Sequence, residues 1–120
     1  MTYQQHVGKT GEALAAKYLE DQGYQIIEQN FTSRYGELDL VARDGDSVVF
    51  VEVKARTSST FGEPEDSVTP EKLERIINTA LLWLQANPDQ PDDWRIDVIA
   101  ILMDHQNQII DIQHFINVAL

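Results

Sequence analysis

The sequence contains no cysteine and no long apolar run. In a chain of 120 residues, the lack of cysteine excludes a disulfide framework, a thiolate metal site and a cysteine nucleophile, and it fits a reducing compartment. The most apolar segment, IINTALLWL (76–84), is far shorter than the roughly 20 residues that a membrane-spanning helix needs. The first ten residues are polar, which predicts no secretory signal. We therefore expect a cytoplasmic protein without a membrane segment.

Positive charge is also scarce. Nine Lys and Arg residues stand against 20 Asp and Glu residues, which gives a formal net charge of −11. An acidic protein repels polyanions at long range, whereas nucleic-acid-binding proteins usually present a basic patch. Composition alone therefore argues against a nucleic-acid-binding protein, although a local basic strip or bound cations can override the mean charge.

The spacing of apolar residues predicts the element order α-β-β-β-α-β-β. Helical spacing begins at Gly8 and ends near Gly23, and Thr69 followed by Pro70 is typical of the start of a second helix. Strands are predicted at 24–31, 36–43, 47–56, 94–103 and 108–116, with a turn within 30–35 and a loop over 57–68. We expect one α/β domain over residues 1–120, a mixed sheet of about five strands flanked by helices.

The stretch GELDLVARDGDSVVFVEVKAR (36–56) predicts two strands joined by a DGD turn. Alternation places Leu38 and Leu40 on one face. It places the charged residues of each strand on a shared face: Glu37 and Asp39 on the first strand, and Glu52, Lys54 and Arg56 on the second. A solvated face with cross-strand ion pairs is one interpretation. The second strand is apolar on both faces, however, which indicates a covered strand whose charges need a pairing partner or a metal.

The arrangement of Asp39, Glu52 and Lys54 resembles the PD-(D/E)xK motif of restriction-endonuclease-like nucleases. The blocks GELDL and FVEVKAR extend the resemblance, nearly end to end, to the YraN-like family of small uncharacterised proteins, which is similar in fold to Holliday-junction resolvases. The resemblance implies Mg²⁺ or Mn²⁺ held by Asp39, Glu52 and the Val53 carbonyl, since hard oxygen ligands suit these ions. It implies a catalytic set of Glu12, Asp39, Glu52 and Lys54, and a substrate-binding set of Glu37, Arg56 and Lys72.

The resemblance also implies a function: a metal-dependent endonuclease that hydrolyses DNA phosphodiester bonds, acting on branched or single-stranded DNA in repair or recombination. The second helix has only two basic residues, Lys72 and Arg75, which argues against tight, independent binding of duplex DNA. Two alternatives stay open. One is a non-catalytic nuclease-like module that acts in DNA processing through a protein partner, and the other is an interaction domain with surface ion pairs. Related resolvases dimerise, and an apolar face on the second helix is compatible with a homodimer.

Several other residues have a structural interpretation. Asp97 lies among apolar strand residues, so we expect it to pair with Arg95 on the same face. His114 is expected to be packed or hydrogen-bonded, and Trp83 to pack in the core or in a dimer. The hydroxyl residues of the predicted loop could touch phosphate but are more typical of solvated loop positions: Ser58, Ser59 and Thr60.

Overall fold

The computed structural model describes residues 2–57 and 68–119, which form two helices and five strands. In chain order these are α1 (Tyr3–Asp21), β1 (Gln25–Ser33), β2 (Gly36–Asp44), β3 (Ser47–Thr57), α2 (Pro70–Ala86), β4 (Asp93–Met103) and β5 (Ile109–Phe115). The predicted order of elements is therefore confirmed. Neither described helix is long and apolar enough to cross a membrane.

The five strands form one mixed sheet in the order β1-β2-β3-β4-β5. Neighbouring strands are antiparallel except β3 and β4, which run parallel from the Ser47–Asp93 pair to the Thr57–Met103 pair. A parallel pair needs a crossover connection, and α2 lies in that connection. The strand β3 is thus the middle strand of the sheet, as its apolar sequence indicated.

The two helices cover opposite faces of the sheet. The core under α1 contains Val7, Ala15, Ala16, Leu19, Leu40, Ala42, Val49, Val51, Ile99, Ile101 and Met103. The core under α2 contains Leu38, Val41, Val48, Phe50, Ile76, Ala80, Trp83 and Ile96. Trp83 is fully buried, packs edge-to-face on Phe50 and donates through Nε1 to Glu28 Oε1 at 2.9 Å, which confirms its core role.

Helix α1 begins at Tyr3, five residues earlier than the apolar spacing predicted. Thr2 and Gln5 form a capping box in which each side chain accepts from the other residue's backbone N–H, so the polar first turn needs no apolar stripe. The predicted start of α2 is confirmed, because the Thr69 hydroxyl accepts from the Lys72 N–H at 3.2 Å.

Several strand boundaries also differ from the prediction, each by one or two residues. The strand β1 continues to Ser33, so only Arg34 and Tyr35 form the turn before β2. The strand β3 includes Thr57, and β4 begins at Asp93. Polar residues at these ends are paired in the ladder, which outweighs their weak strand propensity. Residues 58–67 of the predicted loop, including Ser58, Ser59 and Thr60, lie outside the described residues.

Candidate functional site

The candidate site begins where β2 and β3 separate. Their regular pairing ends at the Leu40–Val51 pair. Asp39 directly precedes Leu40 in β2, and its Oδ2 accepts a hydrogen bond from the Val53 N–H at 2.8 Å. A side chain thus satisfies a backbone donor of β3. Leu38 packs in the core under α2 and Leu40 in the core under α1. The prediction that these two leucines share a face was therefore wrong, because the strand departs from strict alternation at Asp39.

The neighbouring strand is irregular at the same level. Asn30 lies between the Gln29–Leu40 and Phe31–Leu38 pairs, opposite Asp39, and its φ is 57°. Asparagine enters this left-handed region more readily than most residues. The sequence-based prediction placed Asn30 where the first strand and the following turn overlap and gave it no role in the site. The available signal was a strand-disfavouring residue directly before Phe31 of the strand.

Glu12 reaches Asp39 because α1 approaches β3 closely. A Cβ atom on Gly11 would overlap the Cβ of Ala55, so only glycine permits this approach. As a result, carboxylate oxygens of Glu12, Glu37 and Asp39 all lie within 4.8 Å of one another. Opposite oxygen ligands of Mg²⁺ lie about 4.2 Å apart at Mg–O distances of about 2.0–2.1 Å, so carboxylates within 4.8 Å of one another need only a small approach to share one cation.

Both partly buried acids of this triad favour protonation. Burial, followed by the charge of Glu52, raises the pKa of Asp39 from 3.8 to about 7, although the Val53 N–H opposes the shift. Burial, followed by the charge of Glu37, raises the pKa of Glu12, while Lys9 and a hydrogen bond with Asn30 oppose it. Unpaired carboxylates with raised pKa values are typical of functional sites, because a proton or a cation relieves their repulsion.

Glu52 has a different environment. It is buried, and its Oε1 lies 3.2 Å from Lys54 Nζ and 3.0 Å from Lys72 Nζ. Burial, then the contact with Lys72, lowers the pKa of Lys54. Burial would also lower the pKa of Lys72, but hydrogen bonds with Lys54 and Glu52 raise it overall. Two amines therefore offset the Glu52 charge, whereas Asp39 faces mainly like charges.

Two clefts open on these carboxylates. The α2 cleft has a volume of about 220 Å³ and is lined by Gly36, Glu37, Asp39, Glu52, Lys72, Arg75 and Ile76. The α1 cleft has a volume of about 380 Å³ and is lined by Gln5, Gly8, Lys9, Glu12, Asn30 and Glu37. Glu37 borders both clefts. Sequence reasoning assigned no role to Lys9 or Arg75, because scattered basic residues carry no motif.

The structure thus brings together most of the predicted site residues. Five of them line the clefts: Glu12, Glu37, Asp39, Glu52 and Lys72. Lys54 forms an ion pair with Glu52. Arg56 lies partly buried on β3, two residues beyond Lys54, and its role in substrate binding stays a prediction. Val53 reaches the site through its N–H, and its carbonyl as a metal ligand also stays a prediction.

A second polar cluster lies around Asp97 on β4. Asp97 is fully buried and accepts from Arg95 Nε at 3.0 Å and from the Asn117 N–H at 2.9 Å, and it lies 2.7 Å from His114 Nε2. Burial alone would raise the pKa of Asp97, but these contacts outweigh burial and lower it. The predicted Arg95 pairing and the hydrogen-bonding role of His114 are confirmed.

Comparison with known proteins shows which family the chain resembles. A model of the family described as "Uncharacterised protein family UPF0102" matches residues 11–101. A UPF0102 protein of Syntrophomonas wolfei is 46% identical over 111 residues, covering 92% of this chain and 95% of the relative. A UPF0102 protein of Syntrophus aciditrophicus is 48% identical over 101 residues, covering 84% and 80%. The matched span includes all four carboxylates that line the clefts: Glu12, Glu37, Asp39 and Glu52.

Proposed function

The chain belongs to the UPF0102 family, and we propose that it is a divalent-cation-dependent nuclease that hydrolyses DNA phosphodiester bonds. The observation that carries this proposal is the convergence of Glu12, Glu37 and Asp39 where two clefts meet, each of which is also lined by an amine. Four of the nine Lys and Arg residues line the clefts or contact Glu52: Lys9, Lys54, Lys72 and Arg75. Nearly half of the basic residues thus lie at or beside the clefts, although the protein as a whole is acidic.

The residues present suit a hard cation. Glu12, Glu37 and Asp39 would hold Mg²⁺ or Mn²⁺ through carboxylate oxygens, which are the ligands these ions prefer. When bound, such an ion supplies activation of water and neutralisation of negative charge on a phosphate. Glu52 is a less suitable ligand than the motif implies, since Lys54 and Lys72 already contact its Oε1.

The amines provide the remaining chemistry. Lys54 has a lowered pKa and lies against Glu52, so its amine is suited to exchange a proton with the attacking water or the leaving oxygen. Lys72 and Arg75 project from α2 into the same cleft, where they would bind the non-bridging phosphate oxygens. These two groups would orient the phosphate, and Lys54 would act beside it.

Cleavage tests this proposal directly. Labelled single-stranded, flapped, four-way-junction and duplex DNA would be incubated with Mn²⁺ and the wild-type protein. We expect Asp39→Asn and Lys54→Ala each to lower the rate by about 10²–10⁴-fold, the range for loss of an electrostatic or acid–base group. Asp46→Asn, which removes one acid from the exposed turn after β2, is the control and should leave the rate unchanged. Equal rates in all four proteins would indicate a contaminating nuclease.

Calorimetric titration with Mn²⁺ distinguishes the two candidate ligand sets. If Glu12, Glu37 and Asp39 hold the ion, Glu12→Gln should weaken binding at least tenfold, and Glu52→Gln should weaken it much less. If Asp39 and Glu52 form the ligand pair, the order of the two variants reverses. The titration needs no substrate, so it reports on the metal site even when no DNA is cut.

A non-catalytic module that acts through a protein partner is the second candidate. Its supporting observation is the Lys54–Glu52–Lys72 contact, because amines already paired with a buried carboxylate can serve stability alone. This candidate predicts intact DNA and no heat of Mn²⁺ binding. A Mn²⁺ signal that is lost in Asp39→Asn would contradict it.

A further inference from the structure

The turn between β1 and β2 forms an aromatic and basic tip at the edge of the α2 cleft. Its two residues are Arg34, which is exposed, and Tyr35, which is partly buried. The Arg34 guanidinium lies over the Tyr35 ring, 5.0 Å from its centroid, and Nη2 donates to the Tyr35 hydroxyl at 3.1 Å. The next two residues, Gly36 and Glu37, line the α2 cleft. The stacked pair is therefore adjacent to the site proposed to bind phosphate.

The tip is fixed against α2. The Ser33 hydroxyl lies 3.2 Å from the Thr79 hydroxyl, and Ser33 Oγ also accepts from the Tyr35 N–H at 3.0 Å. Gly36 has a φ of 149°, a conformation open mainly to glycine, and its Cα faces Arg75 and Thr79 of the helix. These contacts hold the tip at the same wall of the cleft as Arg75.

Aromatic rings and guanidinium planes bind unpaired bases by stacking, without reading their sequence. A base within a duplex is already stacked on its neighbours and does not offer its face to such a group. Tyr35 and Asp39 are four positions apart in the sequence, which is about 13 Å along a strand. The tip can therefore reach nucleotides that flank a phosphate bound in the α2 cleft.

We infer that the Arg34–Tyr35 tip binds the base of an unpaired nucleotide, so that the substrate of the α2 cleft is a single DNA strand or a single-stranded segment next to a duplex. This inference deepens the proposed nuclease function and rests on it for the position of the phosphate. Arg34 and Tyr35 stack on the base, and Arg75 with Lys72 holds the adjoining phosphates. Affinity then depends on stacking more than on charge, which suits a protein with net charge −11.

Binding measured without cleavage tests the inference. Fluorescence anisotropy would be recorded with a labelled single-stranded oligonucleotide and with a blunt duplex of the same sequence, with Ca²⁺ replacing Mn²⁺ and gels confirming intact DNA. Tyr35→Ala should weaken single-strand binding by about five- to 150-fold, the range for loss of one stacked base. Duplex binding should change less than twofold, and Tyr35→Phe should bind the single strand within twofold of wild type.

Arg43→Ala is the charge control for Arg34→Ala. Arg43 lies at the far end of β2, where its Nε donates to the Gly45 carbonyl. Arg34→Ala should weaken single-strand binding several-fold more than Arg43→Ala does. Circular dichroism and Tm would verify that each variant is folded.

Three outcomes would overturn the inference: no single-strand binding by the wild-type protein, equal losses on single strand and duplex, or equal losses in the two arginine variants. Its failure is distinguishable from failure of the proposed function. Stacking-dependent binding without any cleavage would leave the tip assigned and remove the nuclease. Cleavage with unchanged binding in Tyr35→Ala would do the reverse.

Discussion

The aspartates Asp97 and Asp39 lie on β4 and β2, the two strands that flank β3, yet their surroundings are opposite. Asp97 on β4 contacts a guanidinium, an imidazole and a backbone N–H, and its pKa is lowered. Asp39 on β2 contacts one backbone N–H and faces the charges of Glu52, Glu12 and Glu37, and its pKa is raised to about 7. A carboxylate with complementary partners is neutralised within the fold, whereas one among like charges lacks this neutralisation, which is typical of functional sites.

The largest expected effect comes from removing Asp97, the acceptor at the centre of the cluster on β4. Asp97→Ala would leave Arg95 and His114 without their buried acceptor, which should lower the free energy of unfolding by about 3–5 kcal/mol. Urea denaturation at pH 7 measures this loss. Asp44→Ala is the matched control, since Asp44 is exposed and contacts the same Arg95 at 3.4 Å, and we expect a change of less than about 1 kcal/mol. Equal losses in the two variants would show that Asp97 needs no special pairing.

The second prediction concerns the pH dependence of stability that Asp39 causes, because its pKa shift has the opposite sign to that of Asp97. Because the pKa of Asp39 is raised from 3.8 to about 7, the folded protein binds more protons than the unfolded chain between these values. The unfolded chain releases this proton near pH 4, whereas the folded protein keeps it until about pH 7. In the absence of metal, the free energy of unfolding therefore falls as the pH rises from about 4 to about 7, by roughly 2–4 kcal/mol.

The variant Asp39→Asn isolates the contribution of Asp39 ionisation to the free energy of unfolding. In EDTA at pH 8 the variant should be more stable than wild type by a similar amount, and the difference should vanish near pH 4. Urea denaturation at several pH values measures it, and saturating Mn²⁺ should abolish it in wild type. A variant that is less stable than wild type at pH 8 would mean that the Asp39 charge is compensated in the folded protein.

The smallest expected effect separates strain from function. Asn30 and Asn107 both have positive φ, 57° and 64°, but Asn107 lies in the turn between β4 and β5. Alanine at either position should lower stability by about 1–2 kcal/mol, because a Cβ residue other than asparagine fits this conformation poorly. Only Asn30→Ala should also weaken Mn²⁺ binding in calorimetry, because Asn30 lines the α1 cleft beside Glu12 whereas Asn107 lies in a turn away from it. Equal Mn²⁺ affinity in both variants would separate the strand irregularity from the site.

Much of the fold follows from patterns that act over a few residues. Helical spacing, the Thr69–Pro70 start and the DGD turn each depend on local backbone preference, so element order was predictable. The early start of α1 was not predicted, because the apolar stripe is absent from its first turn and a capping box determines it instead.

The site was predictable in its residues but less so in its grouping. The motif indicated Asp39, Glu52 and Lys54, and alternation brought them to one region. Alternation could not show that Glu52 forms ion pairs with both Lys54 and Lys72, because Lys72 lies on α2, in the connection between β3 and β4. Nor could it show the irregular pairing at Asn30 and Asp39, which depends on a backbone conformation that strand patterns do not encode.

The order of the sheet has a consequence for folding kinetics. Each strand pairs with the strand next to it in sequence, and three of the four pairings are antiparallel. Such local contacts form early, because closing short loops loses little chain entropy. The remaining pairing, β3 with β4, joins Ser47 to Asp93 and must wait for α2 to pack. We therefore expect the transition state to contain the β1–β2–β3 meander, with docking of α2 and β4 as the slow step that also completes the α2 cleft.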